Sequence, residues 1–161
     1  MTVILPGSYD PVTVGHLEII KKASELYDEV YVVIFVNEAK SYTFSLEDRV
    51  CMLQIATEEL DNVLVSYSLG RVVDYMREHD IEKIVKGYRT DADLPWEMEQ
   101  AAYNKKHGGF DTELIKCESR FESVSSTAVR ERLKNGEDVS DLLPPPVLKF
   151  ITDLSGDDVT A

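Results

Sequence analysis

The stretch Val3-Ile4-Leu5-Pro6-Gly7-Ser8-Tyr9-Asp10-Pro11-Val12-Thr13-Val14-Gly15-His16 passes from an apolar run, through a Pro-Gly stop, into a periodic segment. Val3-Ile4-Leu5 suits a short buried strand ending in a loop. After Asp10-Pro11, Leu17, Ile20, Ala23, Ser24 and Tyr27 recur at helical spacing. Strand, loop and helix in that order are the first half of a parallel crossover unit.

The same alternation continues downstream. Val30-Tyr31-Val32-Val33-Ile34-Phe35-Val36 is β-branched and aromatic throughout and predicts the clearest strand. Ser45-Leu46-Glu47-Asp48 resembles a capping box opening a helix through Glu59. Val63-Leu64-Val65 reads as a third strand, Arg71 to Glu78 as a third helix, and Ile84-Val85 as a fourth strand left at Gly87. A helix is expected from Leu94 to Lys106, stopped by Gly108-Gly109, then a strand over Thr112 to Ile115. Ser125-Ser126-Thr127 starts a helix that closes at Asn135-Gly136. Leu143-Pro144-Pro145-Pro146 breaks the chain before a short helix from Val147. These connections are too long for hairpins, so the fold class expected is α/β: an open parallel sheet with helices on both faces. One domain is expected over residues 1–155, with 156–161 a disordered tail.

Composition narrows the function. The chain has 161 residues, 43% apolar and 29% charged, enough to bury one core and too apolar for disorder. A net charge of −13 argues against nucleic acid and anionic membrane as partners, and makes each local cation informative. No run approaches the roughly 18 apolar residues of a membrane helix, and the N-terminus lacks a signal peptide's basic start. Cys51 and Cys117 stand far apart with no CxxC, as expected of inert thiols in the reducing cytoplasm.

In open parallel sheets, ligands sit beyond the carboxyl ends of the strands. After Leu5, Gly7 and Ser8 let backbone approach a phosphate, and Thr13, Gly15 and His16 fall on a helix's first turn, where free N–H groups favour an anion. After Val36 come Asn37 and Lys40; after Val85 come Lys86-Gly87-Tyr88-Arg89. Ser125-Ser126-Thr127, followed by Arg130, is another helix start rich in donors. Each alone also reads as a cap, a surface lysine or a solvated turn. Their common placement points to a polyphosphate site.

These residues match a family. Gly7-Ser-Tyr-Asp-Pro-Val-Thr13-Val-Gly15-His16 resembles the (T/H)xGH signature of the nucleotidylyltransferase superfamily, and Val124-Ser-Ser-Thr-Ala-Val-Arg130 its ISSTxxR type. Phe44-Ser-Leu-Glu-Asp-Arg49-Val and Lys86-Gly-Tyr-Arg89 with Asp93, Glu97 and Asn104 resemble blocks of the bacterial phosphopantetheine adenylyltransferase family, over about residues 3 to 150. The resemblance implies a Rossmann-like subunit of nucleotidylyltransferase type, assembled as a homohexamer and using Mg²⁺. It implies ATP and 4′-phosphopantetheine as substrates, giving dephospho-coenzyme A and pyrophosphate. By position, His16, Lys40 and Arg89 would be catalytic, with His16 binding the ATP phosphates and stabilising the transition state. Ser8, Tyr9, Gly87, Tyr88, Arg89, Glu97, Phe121, Glu122, Ser123, Val124, Ser125, Ser126 and Thr127 would hold ATP. Ser8, Lys40, Val72 and Lys86 would hold the acceptor, and no side chain is assigned to the metal.

The chain departs from that pattern in places. Lys86 replaces an arginine and cannot offer its bidentate fork; Arg71 replaces an apolar residue; Leu94-Pro95-Trp96 replaces a Phe-Glu-Tyr type sequence. Two alternatives follow: a nucleotidyltransferase acting on nicotinate mononucleotide or a polyol phosphate, or a non-catalytic nucleotide-binding relative. Thr13, where such enzymes usually carry a first histidine, argues against the former, and the intact Ser8, His16, Lys40 and Arg89 against the latter.

Overall fold

The computed structural model describes residues 1–154 in full and carries the backbone of the last helix to Thr160; the tail expected over 156–161 lies outside the fully described residues. Five strands, β1 (Thr2–Gly7), β2 (Glu29–Phe35), β3 (Val63–Ser68), β4 (Lys83–Tyr88) and β5 (Asp111–Lys116), form one sheet in the order β3-β2-β1-β4-β5. Every neighbouring pair is parallel. The helices are α1 (Val14–Leu26), α2 (Leu46–Ala56), α3 (Val72–Glu78), α4 (Leu94–Gly108), α5 (Ser126–Lys134) and α6 (Pro145–Thr160), with a 3₁₀ turn at Ser119–Phe121.

Alternation along the strands divides the core in two. Val3, Leu5, Val30, Val32, Ile34 and Val85 face one way and pack with Ile20 and Ala23 of α1, Met52 and Leu53 of α2, Val129 of α5 and Val147 of α6. Ile4, Val33 and Ile84 face the other way, against Tyr75 and Met76 of α3. Burying one such aliphatic side chain is worth about 1.5–3 kcal/mol, so Ile20, together with Ile19 and Ala23, holds α1 to the sheet. The α/β sheet covered on both faces is therefore as expected.

The strand order places a crevice. From β1 the chain winds outward through β2 and β3, then returns across β1 to β4 and β5, so β1 and β4 flank the switch point. β1 pairs with β2 over six positions but with β4 over only two, Val3 with Lys83 and Ile4 with Ile84. Beyond them the two strands part. The Leu5 carbonyl accepts the Tyr9 hydroxyl at 3.0 Å, and Pro6 has no N–H to give.

Three local expectations are corrected. β4 does not leave the sheet at Gly87 but runs on to Tyr88. Gly87 serves packing: a Cβ there would lie 2.6 Å from Cγ1 of Ile19 on α1. The proline run does not hold off the last helix, which starts at Pro145; prolines are accepted in a first turn because their missing N–H would have had no partner. α2 stops at Ala56 rather than Glu59, capped by Thr57, whose hydroxyl donates back to the Leu53 carbonyl at 2.8 Å.

Candidate active site

Beyond the ends of β1 and β4 lies a cavity of about 580 Å³. One wall is Leu5 to Gly7, Tyr9, Thr13, Gly15 and His16; the opposite wall is Val85 to Arg89, Asp93, Trp96 and Glu97; Cys117 and Val124 to Thr127 close the rest. The two helix N-termini, of α1 and α5, thus open on one space with Lys86 and Arg89. In a protein of net charge −13 that convergence of helix N–H donors and cations makes this space locally electropositive.

His16 is the third residue of α1. Thr13 caps the helix, its hydroxyl accepting the His16 N–H at 3.3 Å, while the Thr13 N–H donates to Nδ1 of His16 at 3.0 Å. This is a capping box with imidazole where Glu or Gln is usual. Since Nδ1 accepts a hydrogen bond, the proton of the neutral ring belongs on Nε2. The imidazole pKa is pushed down to about 4, by burial first and by the Arg89 guanidinium second. Above that pH, His16 is a neutral donor fixed in tautomer and orientation, with the Tyr9 ring edge-on at 5.0 Å.

Tyr9 is buried, takes a positive φ of 46°, and gives its hydroxyl to Leu5. Burial pushes its phenol pKa up. It shapes the loop, and its hydroxyl is already engaged. Across the cavity Lys86 Nζ lies 3.0 Å from Oε2 of Glu97, a half-buried pair held by proximity, since that oxygen accepts no aligned hydrogen bond. Arg89 donates to the Glu122 carbonyl at 3.3 Å. Ser125 caps α5 by accepting the Ala128 N–H at 3.0 Å, and Ser126 donates to the Pro11 carbonyl at 2.7 Å, tying α5 to the loop before α1. Cys117 contributes a thiol whose pKa burial pushes up.

Of the residues to which the family resemblance gives a catalytic, ATP or acceptor role, the cavity brings together Tyr9, His16, Lys86, Gly87, Tyr88, Arg89, Glu97 and Val124 to Thr127. Six do not line it. Ser8 sits beside it with its carbonyl held by Arg49. Lys40 is exposed on the loop after β2. Val72 opens α3 and packs on the far core; Phe121, Glu122 and Ser123 belong to or follow the 3₁₀ turn. Asp93 and Trp96, quoted from sequence without a binding role, also line the cavity, and Asp10 and Arg49, quoted only within motifs, support its loops. Asp93 accepts the Thr90 N–H at 3.1 Å, which lowers its carboxyl pKa.

Among the described residues no three His, Cys, Asp or Glu side chains converge as a metal site. Of the cavity's two carboxylates, Asp93 accepts the Thr90 N–H, while Glu97 lies beside Lys86 with its Oε2 buried and without a hydrogen bond. None of the described helices is long and apolar enough to cross a membrane.

Comparison with known proteins agrees with this geometry. Residues 4–132 match the cytidylyltransferase-like family. A phosphopantetheine adenylyltransferase of Streptomyces coelicolor is 40% identical over 150 residues, 93% of this chain and 94% of that protein. The crystal structure of a protein assigned as a nicotinate-nucleotide adenylyltransferase from Vibrio parahaemolyticus shares the fold, with a TM-score of 0.68 at 18% identity, covering 94% of this chain and 91% of that one. With a signature-bearing cavity at the switch point of such a sheet, the chain belongs to the cytidylyltransferase-like nucleotidyltransferases, as an enzyme of the phosphopantetheine adenylyltransferase family.

Proposed function

We propose that the enzyme transfers the adenylyl group of ATP to 4′-phosphopantetheine, giving dephospho-coenzyme A and pyrophosphate. An acceptor phosphate oxygen attacks the α-phosphorus in line, a P–O bond forms, and the bond to the β-phosphate breaks with pyrophosphate leaving. The attacking oxygen is already ionised, so no general base is needed; the protein has to align two polyanions and stabilise charge at the crowded phosphorus. The observation that carries this reading is the fixed Nε2–H donor of His16, held by Thr13 on a helix N-terminus that faces Lys86 and Arg89 across the cavity.

His16 donates to an ATP phosphate oxygen in the transition state without having to be charged. Arg89 and the N-terminus of α5 take the remaining ATP phosphates; Lys86 and Lys40 take the acceptor phosphate, with Ser8 between the two. Mg²⁺ enters bound to the phosphates of ATP, as part of the substrate. Assembly into a hexamer belongs to the same reading. It is supported by α4, which buries none of its residues and leaves Trp96, Met98 and Tyr103 about 60% exposed.

The test is pyrophosphate release from MgATP with and without 4′-phosphopantetheine. Acceptor-dependent release is expected. Release with nicotinate mononucleotide alone would transfer the reading to that acceptor, and tight ATP binding without any turnover would make the chain a nucleotide-binding relative.

A further inference from the structure

We propose that Arg49, together with Asp10, is a positioning residue that fixes the loop carrying Lys40 against the loop carrying Ser8, and so aligns the acceptor phosphate with the α-phosphorus of ATP. The proposal rests on the reaction set out above. Among the described residues Arg49 is the largest fully buried side chain, only 2% exposed, and makes no ion pair. A guanidinium is expensive to bury unless fixed acceptors take its N–H groups. Here they come from two loops: Nε donates to the Phe44 carbonyl at 3.2 Å and Nη1 to the Ser8 carbonyl at 3.1 Å. The same guanidinium lies 4.0 Å over the Tyr42 ring.

Asp10 makes a second tie. It is 4% exposed, and its carboxylate accepts the N–H groups of Thr43 and Phe44 at 2.9 Å each. From Tyr42 the connection reaches Lys40: the Tyr42 hydroxyl accepts the Asn37 N–H, and the Lys40 N–H donates to the Asn37 carbonyl, both at 3.0 Å. A continuous chain of contacts thus runs from Ser8 through Arg49 and Tyr42 to the backbone of Lys40. A planar fork fixes such distances, whereas an ammonium on a flexible stem does not.

The ATP side has supports of its own. His16 is held by Thr13, the Pro11 carbonyl by Ser126, and the Asp10 carbonyl by Arg130 at 2.8 Å. The Lys40 loop is exposed from Asn37 to Ser41 and depends on Tyr42, Asp10 and Arg49 for its register. Loss of Arg49 therefore falls on the acceptor, and a misplacement of about 1 Å can lower turnover by about a hundredfold.

The test compares full-length wild type, Arg49→Lys and Tyr42→Leu by two readouts: steady-state kcat and KM for 4′-phosphopantetheine, and ATP affinity from the fluorescence of Trp96, the sole tryptophan, which lines the cavity. For Arg49→Lys we expect the acceptor KM to rise about tenfold or more and kcat to fall, with ATP affinity close to wild type. Tyr42→Leu should move the same quantities in the same direction. Folded variants with an unchanged acceptor KM, or with ATP and acceptor affinity lost together, overturn the positioning role; should Arg49→Lys not fold, Tyr42→Leu decides by the same criterion. A wild type silent with this acceptor overturns the reaction itself, which separates the two failures.

Discussion

His16 combines a structural bond with a chemical one. Its Nδ1 completes the cap of α1, and that bond leaves Nε2–H for the cavity. Because burial and Arg89 hold the pKa at about 4, the folded protein resists protonating this ring where an unfolded chain, titrating near 6.5, would accept a proton. Between pH 6.5 and about 4 the unfolded state binds the extra proton, so this residue's contribution makes stability fall with falling pH. Of the three histidines, His16 should titrate near 4 in a ¹⁵N NMR experiment, with its proton on Nε2 above that pH; an ordinary midpoint, or a proton on Nδ1, would remove the donor from the account. His16→Ala should lower kcat by roughly two to three decades, the usual effect of losing one preorganised donor, with circular dichroism unchanged. At Lys86 the exchange to Arg adds a fork, so acceptor KM should fall or stay the same; a large rise would show that the lysine is fitted to a different acceptor. His16, Lys86 and Arg89 were legible because they stand at a helix start or a strand end. Arg49 was not assigned a role from sequence. The clue was there: Leu46, Arg49, Val50 and Leu53 share the i, i+3, i+4, i+7 stripe, and a charge on an apolar stripe signals a buried tie.

The elements were legible in number, type and order, and less so at their ends. Apolar runs and helical spacing are set by burial, which the sequence states directly. End points depend on neighbours in space. Gly87 shows the difference: a glycine after a short apolar run reads as a turn, yet it lies within β4 because α1 presses Ile19 onto that strand. Gly87→Ala should therefore destabilise the fold by about 1–3 kcal/mol in urea unfolding, as overpacking does. A stability equal to wild type would mean that Ile19 moves aside freely. The two-residue ladder between β1 and β4, which opens the cavity, has no separate signature in the residues themselves.

For the whole molecule, the strand order explains why loops distant in sequence meet. Reversal of winding between β1 and β4 brings Thr13, His16, Lys86, Arg89 and Ser125 around one space, so each weak sequence signal supports the others. The surface left by α4 belongs to this level too. With Met98 and Tyr103 outward and no residue of α4 fully buried, sedimentation at micromolar concentration should give a species several times the 18.2 kDa subunit. A stable monomer would mean that this face is free in solution. The central claim, adenylyl transfer to a phosphorylated pantetheine, is tested most directly by the rate of pyrophosphate release from MgATP on adding 4′-phosphopantetheine. The account predicts rapid release that depends on this acceptor, and ATP that stays intact in its presence while other phosphorylated acceptors are turned over would contradict it.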